Sequence, residues 1–543
     1  MRKNLLALFL VFTFIAPFSA FGQMVTKKNS PAMKAAQEIT AKQLSDYLYF
    51  VASDAMEGRD TPSRGLDVTA EFIKMNLSRW GFKPAGDNGT FFQKFALRRE
   101  SIDTSATKLI VENTEFALNE DYFRLSGNAA TGNVPLIFGG DGWMVKSKNI
   151  DALSGVDVKG KIVVVAGNRP DFSQQFMIPP PVGVTEADLK GTRGTDWADS
   201  VRNAQEKGAA GVIVIAPAQL MGFWEQAKQF LGRGSMYPEK LRADNVQAPN
   251  PMPVMLASPK VSNALYGATL PTSAGDLNKT GSLSAKSKIE ILMTQNVVAI
   301  WEGSDKILKN EMVAIGAHYD HVGVNPNARG EDKIWTGADD DGSGTVAVLS
   351  IAEALAKSKV KPKRSILFVW HAGEEKGLWG SEYFTKFPTV DLSKVVTMLN
   401  IDMIGRSKKD GDTNPRNKEL SGPNEIYVIG SKMISTQLGE VTANVNNSYL
   451  KLNYNYKYDD PKDPNRFFFR SDHFHYAKNN IPIVFWFDGE HEDYHGAGDH
   501  PDKIDYVKME KITRTIFLTM WEIADTKIRP AVDKQLPKEL TNR

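Results

Sequence analysis

Short motifs rich in histidine and carboxylate lie together in one stretch of the sequence. All eight histidines lie between His318 and His500. Acidic residues share that stretch in the motifs AHYDH (317–321), GADDDGSG (337–344), HAGEEKG (371–377), NIDMIG (400–405), RSDHFH (470–475) and DYHGAGDH (493–500). Imidazole and carboxylate groups are the ligands that zinc and similar borderline metals bind in proteins. The motif set therefore predicts a metal-dependent hydrolase.

The spacing within these motifs suggests separate roles. His318 and Asp320 are two residues apart on a predicted strand, so both side chains leave one face and Asp320 can orient His318. Glu374 and Glu375 are adjacent, and in such a pair one acid can bind metal while the other exchanges a proton with water. Asp402 ends an apolar run, where acids are rarely buried unless paired or metal-bound. For the outer two acids of GADDDGSG, an N-capping loop with surface acids is the alternative interpretation.

The elements that must position these motifs follow from the periodicity of apolar residues. Apolar runs predict strands at 289–301, 312–318, 365–372, 395–402 and 481–488. Helical spacing predicts helices at 344–357, 381–387, 430–445 and 506–526. This alternation predicts an α/β fold, with a mostly parallel mixed sheet covered by helices on both faces. His318, Glu374 and Asp402 then follow strands at the carboxyl edge, where open α/β sheets bind ligands.

The first half of the chain has a different pattern. Apolar residues at helical spacing predict helices at 41–53 and 65–80, and we expect the second helix to bury Phe72 and Met75 against the sheet. Between 128 and 286, a helix at 197–207 is accompanied by short β-like runs at 134–140, 161–167, 211–217 and 253–258. The Pro- and Gly-rich stretch 168–196 lacks periodicity and is predicted to be a loop.

Length and composition narrow the class of protein. A chain of 543 residues is too long for one ordinary core, so it predicts two or more domains. Apolar and charged contents of 42% and 24% are typical of globular proteins. The net charge of +2 argues against a broad basic surface for nucleic acid. The sequence contains no cysteine, which excludes disulfides and a lipidated cysteine anchor.

The N-terminus resembles a secretory signal peptide. A basic start is followed by an apolar run at 5–18 and by the small residues Ala20 and Gly22. A membrane anchor is the alternative, but the run is short for a span of about 20 residues and contains Pro17. We therefore expect residues 1–22 to be removed, leaving a periplasmic or secreted protein without a membrane span.

Taken in order, the motifs resemble those of the co-catalytic dizinc aminopeptidases. This family includes glutamate carboxypeptidase II, bacterial leucyl aminopeptidases and the non-catalytic transferrin receptors. The resemblance extends from EGRDTPSRG (57–65) to DYHGAGDHPDKID (493–505). It implies a zinc exopeptidase fold, two zinc ions per chain and peptide substrates. The segments GVDVKGKIVVVAG (155–167) and AQEKGAAGVIVIAP (204–217) resemble the protease-associated domain, which such enzymes carry as an insertion.

Carried over by position, the resemblance implies a set of metal ligands. His318 and Asp402 would hold one zinc ion. Glu375 and His495 would hold the other, and Asp340 would bridge the two ions together with a water or hydroxide. A two-metal site of this type needs only two imidazoles. We therefore expect four further histidines to be hydrogen-bonded structural groups, namely His321, His371, His475 and His491.

The resemblance also implies roles for residues beside the ligands. Glu374 would take a proton from the water and deliver it to the leaving amine, while Asp320 would orient His318. A cis peptide would join Asp340 to the next residue. Further residues are expected to stabilise the oxyanion (Tyr494), to contact substrate or product (Arg470) and to lie at or behind the pocket (Asp472 and His473).

Together these observations predict an exported zinc-dependent aminopeptidase that hydrolyses the N-terminal residues of peptides. The sequence predicts a signal peptide at 1–22 and a C-terminal tail at 531–543. Between them, a catalytic domain in two pieces, 23–127 and 287–530, is interrupted by the insertion at 128–286. A single-zinc transferase resembling glutaminyl cyclase is one alternative, but the GADDDGSG loop and the Tyr-His pair favour the hydrolase. A non-catalytic receptor-like protein is another, although such proteins lose ligands that this sequence retains. Residue specificity and oligomeric state stay open.

Overall fold

The computed structural model describes residues 31–167, 178–231, 234–242 and 251–540. The predicted signal peptide at 1–22 lies outside the described residues, as do parts of the predicted loop and of the predicted tail. The chain forms two compact units. The discontinuous unit comprises the chain up to Phe95 and again from Met293, and the inserted unit comprises Ala96–Leu292.

The discontinuous unit contains a sheet whose strands we number in chain order. They are β1 (Ser287–Trp301, which enters this unit at Met293), β2 (Met312–His318), β3 (Ser365–His371), β4 (Val395–Ile401), β5 (Glu425–Ile429), β6 (Asn453–Asn455) and β7 (Ile483–Phe487). Their spatial order is β1-β3-β2-β4-β7-β5-β6. The four central strands are parallel, whereas β1 and β5 run antiparallel to β3 and β7. The prediction of a mostly parallel mixed sheet is confirmed.

Eight helices of the described residues belong to this unit. They are α1 (Pro31–Ala36), α2 (Ala41–Val51), α3 (Arg64–Arg79), α4 (Gly344–Lys357), α5 (Trp379–Lys386), α6 (Thr436–Ser448), α7 (His473–Lys478) and α8 (Tyr506–Asp525). Short strands also occur at Lys83–Pro84, Gly323–Val324 and Ile334–Trp335.

Two adjacent residues of β3 show that helices cover both faces of the sheet. The indole N–H of Trp370 donates to the Thr345 carbonyl in α4 at 3.1 Å. The ring Nε2 of His371 lies 3.0 Å from the hydroxyl of Tyr476 in α7. Because successive side chains of a strand point to opposite faces, α4 and α7 lie on opposite sides. Every residue of β3 is buried, as expected for a strand covered on both faces.

Two predictions for this unit were wrong in detail. The helix α3 begins at the residue after Ser63, whose hydroxyl accepts the Leu66 N–H at 3.1 Å. Its Met75 is 45% exposed, because the buried positions include Ile73 and the residues three and four away from it. The helix packs on the turn Asp54–Arg59 and on α4, and it reaches the sheet through the Asp67 carboxylate, which accepts the side-chain N–H of Gln295 in β1 at 2.8 Å. The helix predicted at 430–445 is α6, which begins only at Thr436. Residues 430–435 instead connect the unpredicted strand β5 to this helix.

The inserted unit has its own sheet of eight strands. In spatial order they are Thr114–Phe116, Lys108–Val111, Gly275–Ser284, Val134–Phe138, Ile162–Val165, Gly211–Ile215, Val254–Ala257 and Tyr122–Ser126. The remaining strands are Trp197–Ala198, Met144–Val145 and Ile150–Asp151, which form a small sheet, and Ser235–Pro238. The helices are Ser200–Glu206, Ala218–Met221, Trp224–Leu231, Glu239–Arg242 and Pro259–Tyr266. The strand Phe92–Ile102 carries the chain from one unit into the other.

The boundary of this unit differs from the predicted insertion at 128–286. The unit begins at Ala96 because the strands Lys108–Val111 and Tyr122–Ser126 pair within its sheet. The helix expected at 197–207 begins only at Ser200, where the Asp199 carboxylate accepts the Arg202 N–H at 3.0 Å.

Candidate metal centre

Three side chains meet at the carboxyl ends of β2, β3 and β4. His318 ends β2, Asp402 directly follows β4, and Glu374 lies three residues beyond β3. Because these strands are parallel, their carboxyl ends share one edge of the sheet. The ring Nε2 of His318 lies 3.6 Å from Oδ1 of Asp402 and 3.9 Å from Oε2 of Glu374.

Asp340 extends this group toward a second one. It lies in the turn Ala338–Ser343 before α4, with its side chain buried. Its Oδ1 is 3.4 Å from Nε2 of His318, and its Oδ2 is 3.1 Å from Nε2 of His495. The same His495 nitrogen lies 2.9 Å from Oε2 of Glu375. The Asp340 carboxylate therefore contacts both groups, one with each oxygen.

The donor atoms fit metal ions at two neighbouring positions. One group is His318, Asp340 and Asp402, and the other is His321, Asp340, Glu375 and His495, with the ligand atoms of each group within 4.8 Å of one another. Within the described part of the chain, Asp340 Oδ2, Glu375 Oε1 and His495 Nε2 are buried without a hydrogen-bond partner. Buried polar atoms are costly without partners, so nitrogen and carboxylate donors arranged in this way fit zinc.

Hydrogen bonds distinguish the three consecutive acids of GADDDGSG. Oδ1 of Asp339 accepts the Gly405 N–H at 2.6 Å, and Oδ1 of Asp341 accepts the Met403 N–H at 3.1 Å. These two carboxylates therefore hold the backbone after β4, while that of Asp340 faces the histidines. The peptide between Asp340 and Asp341 is cis, as the resemblance implies. Neither outer acid is a surface group, because both are fully buried.

Asp320 contacts both His318 and Glu374. Nδ1 of His318 lies 3.1 Å from the backbone carbonyl of Asp320 and 3.6 Å from its carboxylate. The same carboxylate accepts the backbone N–H of Glu374 at 3.2 Å. Asp320 therefore lies closest to His318 through its main-chain carbonyl, and its carboxylate contacts the backbone of the residue predicted to be the base.

Burial and mutual contact shift the pKa values of this cluster. Burial raises the pKa of the Glu374 carboxyl well above its usual range, against the lowering effect of His318. Burial also raises the pKa of Asp340, but its close contacts with the His318 and His495 imidazoles outweigh it and hold the pKa well below normal. Burial lowers the pKa of His495, yet its close contacts with the Asp340 and Glu375 carboxylates raise it to about 10. The acids and imidazoles thus share protons that a divalent cation would displace.

A cavity of about 200 Å³ opens onto the cluster. Its wall includes five apolar side chains, Leu378, Met403, Phe467, Phe485 and Phe487. Its polar lining includes Tyr494, whose hydroxyl is 3.3 Å from Nη2 of Arg470. The same Arg470 nitrogen donates to Oε1 of Glu490 at 2.7 Å. Burial raises the pKa of the Tyr494 phenol, so this group stays protonated as a hydrogen-bond donor.

Two residues predicted near the pocket are not among those that line it. Oδ2 of Asp472 lies 3.4 Å from Nδ1 of His371, and both side chains are fully buried. The ring of His473 stacks on Phe485 with centroids 4.6 Å apart, and burial lowers its pKa to about 3. His473 therefore packs behind an aromatic residue of the pocket wall, while Asp472 pairs with a histidine expected to be structural.

Sequence reasoning missed His321 as part of a candidate ligand group. We expected a hydrogen-bonded structural group, but its Nδ1 lies 2.9 Å from Oε1 of Glu375. His321 follows β2 and is not part of a periodic pattern. The only signal for it in the sequence was therefore its position in AHYDH, three residues after His318. Two other histidines have structural partners, since His371 contacts Tyr476 as described above and Nε2 of His491 lies 3.4 Å from Asp339.

Two family profiles match the chain, and their ranges follow the two units. Residues 296–520 match Peptidase family M28, from β1 to α8. Residues 108–265 match the PA domain and lie within the inserted unit. The discontinuous unit therefore contains a segment that is similar to peptidase family M28. The resemblance drawn from the motifs is thereby confirmed, including an inserted protease-associated domain.

The curated relatives of the chain include fungal proteins. Leucine aminopeptidase 2 of Arthroderma otae is 28% identical over 41% of the chain and 44% of the relative. A probable leucine aminopeptidase 2 of Aspergillus oryzae is 33% identical over 39% of the chain and 38% of the relative. The chain spans about half the length of the curated relatives it matches, at 44% and 50%.

A solved structure is similar over a longer range. It is an aminopeptidase from an Aneurinibacillus species, with 16% identity, a TM-score of 0.47 and coverage of 93% of this chain and 98% of the other. Among the helices in the described ranges, none combines the length and apolar character needed to cross a membrane.

Proposed function

We propose that this chain is an exported zinc-dependent aminopeptidase that hydrolyses N-terminal residues of peptides. The observation that carries the proposal is the position of Glu374, which lines the pocket beside two ligand groups that share Asp340. The family match and the names of the curated relatives support it. Export is inferred from the signal-like pattern at 1–22.

Five side chains would hold two zinc ions in this proposal. His318 and Asp402 hold one ion, Glu375 and His495 hold the other, and Asp340 is shared. When bound, zinc polarises the substrate carbonyl and lowers the pKa of water, which supplies a nucleophile at neutral pH.

Glu374 moves the proton in the proposed reaction. One of its carboxylate oxygens accepts a proton from the attacking water, and the same group then donates this proton to the nitrogen of the leaving amine. The C–O bond forms first and the C–N bond of the peptide breaks as that proton is delivered. A carboxylate whose pKa is raised above its usual range suits both the acceptance and the return of the proton. The bond from the Glu374 N–H to Asp320 fixes the main chain of this residue.

The pocket lining suggests how the substrate is held. The Tyr494 hydroxyl is available to donate a hydrogen bond to the oxygen that becomes negative in the tetrahedral intermediate. Arg470, 3.3 Å from that hydroxyl, orients it. The wall containing Phe467 and Met403 favours an apolar side chain on the N-terminal residue of the substrate, because apolar surface is buried there.

The proposal is tested with matched peptides on the zinc-loaded protein. A leucine-initiated peptide with a free amine should release leucine, whereas its N-acetylated copy should stay intact. Cyclisation of a glutamine-initiated peptide with loss of ammonia, and no hydrolysis, would favour the transferase. Binding of peptides without either reaction would favour the receptor-like alternative. Sequencing the N-terminus of the protein recovered from its native cells tests cleavage near residue 22.

A further inference from the structure

His321 lies against the ligand group of Glu375 and His495, although the ligand set implied by the resemblance leaves it out. Its side chain is fully buried. Nδ1 of His321 lies 2.9 Å from Oε1 of Glu375 and 3.6 Å from Oδ2 of Asp340. The ring centroid of His321 is 5.7 Å from that of His495, with the planes at 69°. Four ligand atoms from four residues therefore surround one position.

Neither ring nitrogen of His321 has a hydrogen-bond partner of good geometry in the described part of the chain. A fully buried imidazole without partners is costly, and such groups in native proteins call for an explanation. The contact with Glu375 is short, but it leaves Oε1 of that carboxylate without a hydrogen bond of good geometry as well. A cation between the two would satisfy both atoms.

The backbone around His321 is held rigidly. Its N–H donates to the carbonyl of Arg59 at 3.1 Å. The Arg59 guanidinium is fully buried and donates to the carbonyls of Tyr319 at 2.9 Å and Thr336 at 2.7 Å. The EGRDTPSRG segment thus fixes the loop that carries His321, as a ligand position requires.

The distances between the donor atoms suit a tetrahedral ion. Zinc ligands lie about 2.0–2.2 Å from the metal, which places neighbouring ligand atoms about 3.4 Å apart. The separations from Asp340 Oδ2 are 3.6 Å to His321 and 3.1 Å to His495, and His495 is 2.9 Å from Glu375. These values lie around the tetrahedral spacing, and small side-chain adjustments would bring them to it.

We propose that His321 is a fourth protein ligand of the ion held by Glu375 and His495. This inference rests on the proposed function, because it presumes bound zinc. The two positions then differ in kind. Four protein ligands close a tetrahedral position, whereas His318, Asp340 and Asp402 supply only three and leave one position open.

The cavity is lined by members of both ligand groups. His318 and Asp402 line it, as do the shared Asp340 and Glu375 of the four-ligand group, whereas His321 and His495 are not among its lining residues. In this proposal the three-ligand ion would have a coordination position left for water or substrate, and the four-ligand ion would fix the shared Asp340 and the neighbouring Glu375.

The first test measures zinc binding by His321→Gln with competing chelators. We expect the dissociation constant of one ion to rise by well over 100-fold and that of the other to change by less than about 10-fold. The control is His500→Gln, because His500 is half-buried and contacts Asp332 at 2.9 Å, outside both ligand groups. Loss of a hydrogen-bond donor that merely orients a ligand typically costs about 10–100-fold. A change within that range, or equal weakening of both ions, would overturn the proposal.

The second test needs no variant, so it stands even if His321→Gln misfolds. X-ray absorption at the zinc edge counts imidazole ligands in the dizinc protein. We expect three imidazoles for every two zinc ions, from His318, His321 and His495, and a count of two would contradict the proposal. Neither measurement uses peptide hydrolysis, so a failed ligand assignment is distinguishable from a failed peptidase assignment.

Discussion

The two units build their sheets from the same kind of strand. In the discontinuous unit every residue of β2 and β3 is buried. In the inserted unit the same holds for Ile162–Val165 and Val254–Ala257. Both sets contain parallel strands with nearly continuous apolar sequences, the pattern that burial on both faces produces. Among the described residues, the strand cores of the unit that contains the candidate metal centre and those of the inserted unit are therefore alike.

The difference lies in the residues that follow the strands. His318 ends β2, while Glu374 and Asp402 follow β3 and β4. The corresponding strands of the inserted unit lead into Ala-Gly, Ala-Pro and Ser-Pro at 166–167, 216–217 and 258–259. Parallel strands place their carboxyl ends at one edge in either case. The edge of the inserted unit carries Asp141, three residues after the parallel strand Val134–Phe138, but all eight histidines of the sequence belong to the discontinuous unit. Apolar patterning therefore creates the edge, and the one to three residues after each strand decide its chemistry.

Buried charge shows the same contrast. Asp199 of the inserted unit pairs with Arg193 at a helix start, and Asp121 lies 3.0 Å from Lys260. Each of these acids has a basic partner with a solvent-exposed side chain. In the discontinuous unit, Oδ2 of Asp340 and Oε1 of Glu375 have no hydrogen-bond partner among the described residues. Buried carboxylate oxygens without a hydrogen-bond partner, more than burial alone, distinguish the candidate metal centre.

The largest effect on activity that tests this contrast between the acids of the two units is expected from a change at Glu374. Glu374→Gln should lower kcat by about 10³-fold or more, because general-base catalysis is lost while the amide keeps the shape of the carboxyl. Zinc content should stay near the wild-type value. The matched control is Glu382→Gln on α5, whose carboxylate pairs with the exposed Lys386 and should not matter. Loss of zinc in parallel with activity would identify Glu374 as a ligand instead.

The next largest effect is expected in metal content. Asp340→Ala should weaken both zinc ions, by about 100-fold or more each, whereas Asp402→Ala and Glu375→Ala should each weaken mainly one. The control from the inserted unit is Asp199→Ala, which should leave zinc content unchanged and cost about 0.5–2 kcal/mol of stability through the lost helix cap. Elemental analysis after dialysis and urea unfolding measure the two quantities. Selective loss of one ion from Asp340→Ala would show that this carboxylate is not shared.

The sequence predicted the sheet and most of the site because both depend on local patterns. The boundaries of β2 and α4 were predicted to the residue, since long apolar runs and strong periodicity leave few alternatives. Met75 was misplaced because helical periodicity alone does not say which face of an amphipathic helix the neighbouring elements cover. The strand β5 was missed because a five-residue apolar run does not distinguish a strand from a helix start.

His321 illustrates what local patterns cannot supply. Its proximity to Glu375 brings together residues 54 positions apart, which only the parallel pairing of β2 with β3 creates. The roles of Asp339 and Asp341 were open for the same reason, because their hydrogen bonds reach the backbone after β4. The sequence identified the three carboxylates as candidates. Only the tertiary structure distinguished Asp340, which faces the histidines, from Asp339 and Asp341, which hold the backbone after β4.

The smallest effect tests whether the strand cores of the two units are equivalent. Ile315 of β2 and Ile213 of the inserted unit are both fully buried. Ile→Val at either position should cost about 0.5–1.5 kcal/mol, because one buried methylene is lost in each case. Hydrogen exchange in each unit as urea is raised would report the two costs separately, and zinc content should not change in either variant. Ile315 is three residues from His318, so a more than 10-fold loss of zinc affinity in Ile315→Val alone would show that the strand core shapes the metal centre. The site would then depend on packing within β2 as well as on the residues that follow the strands.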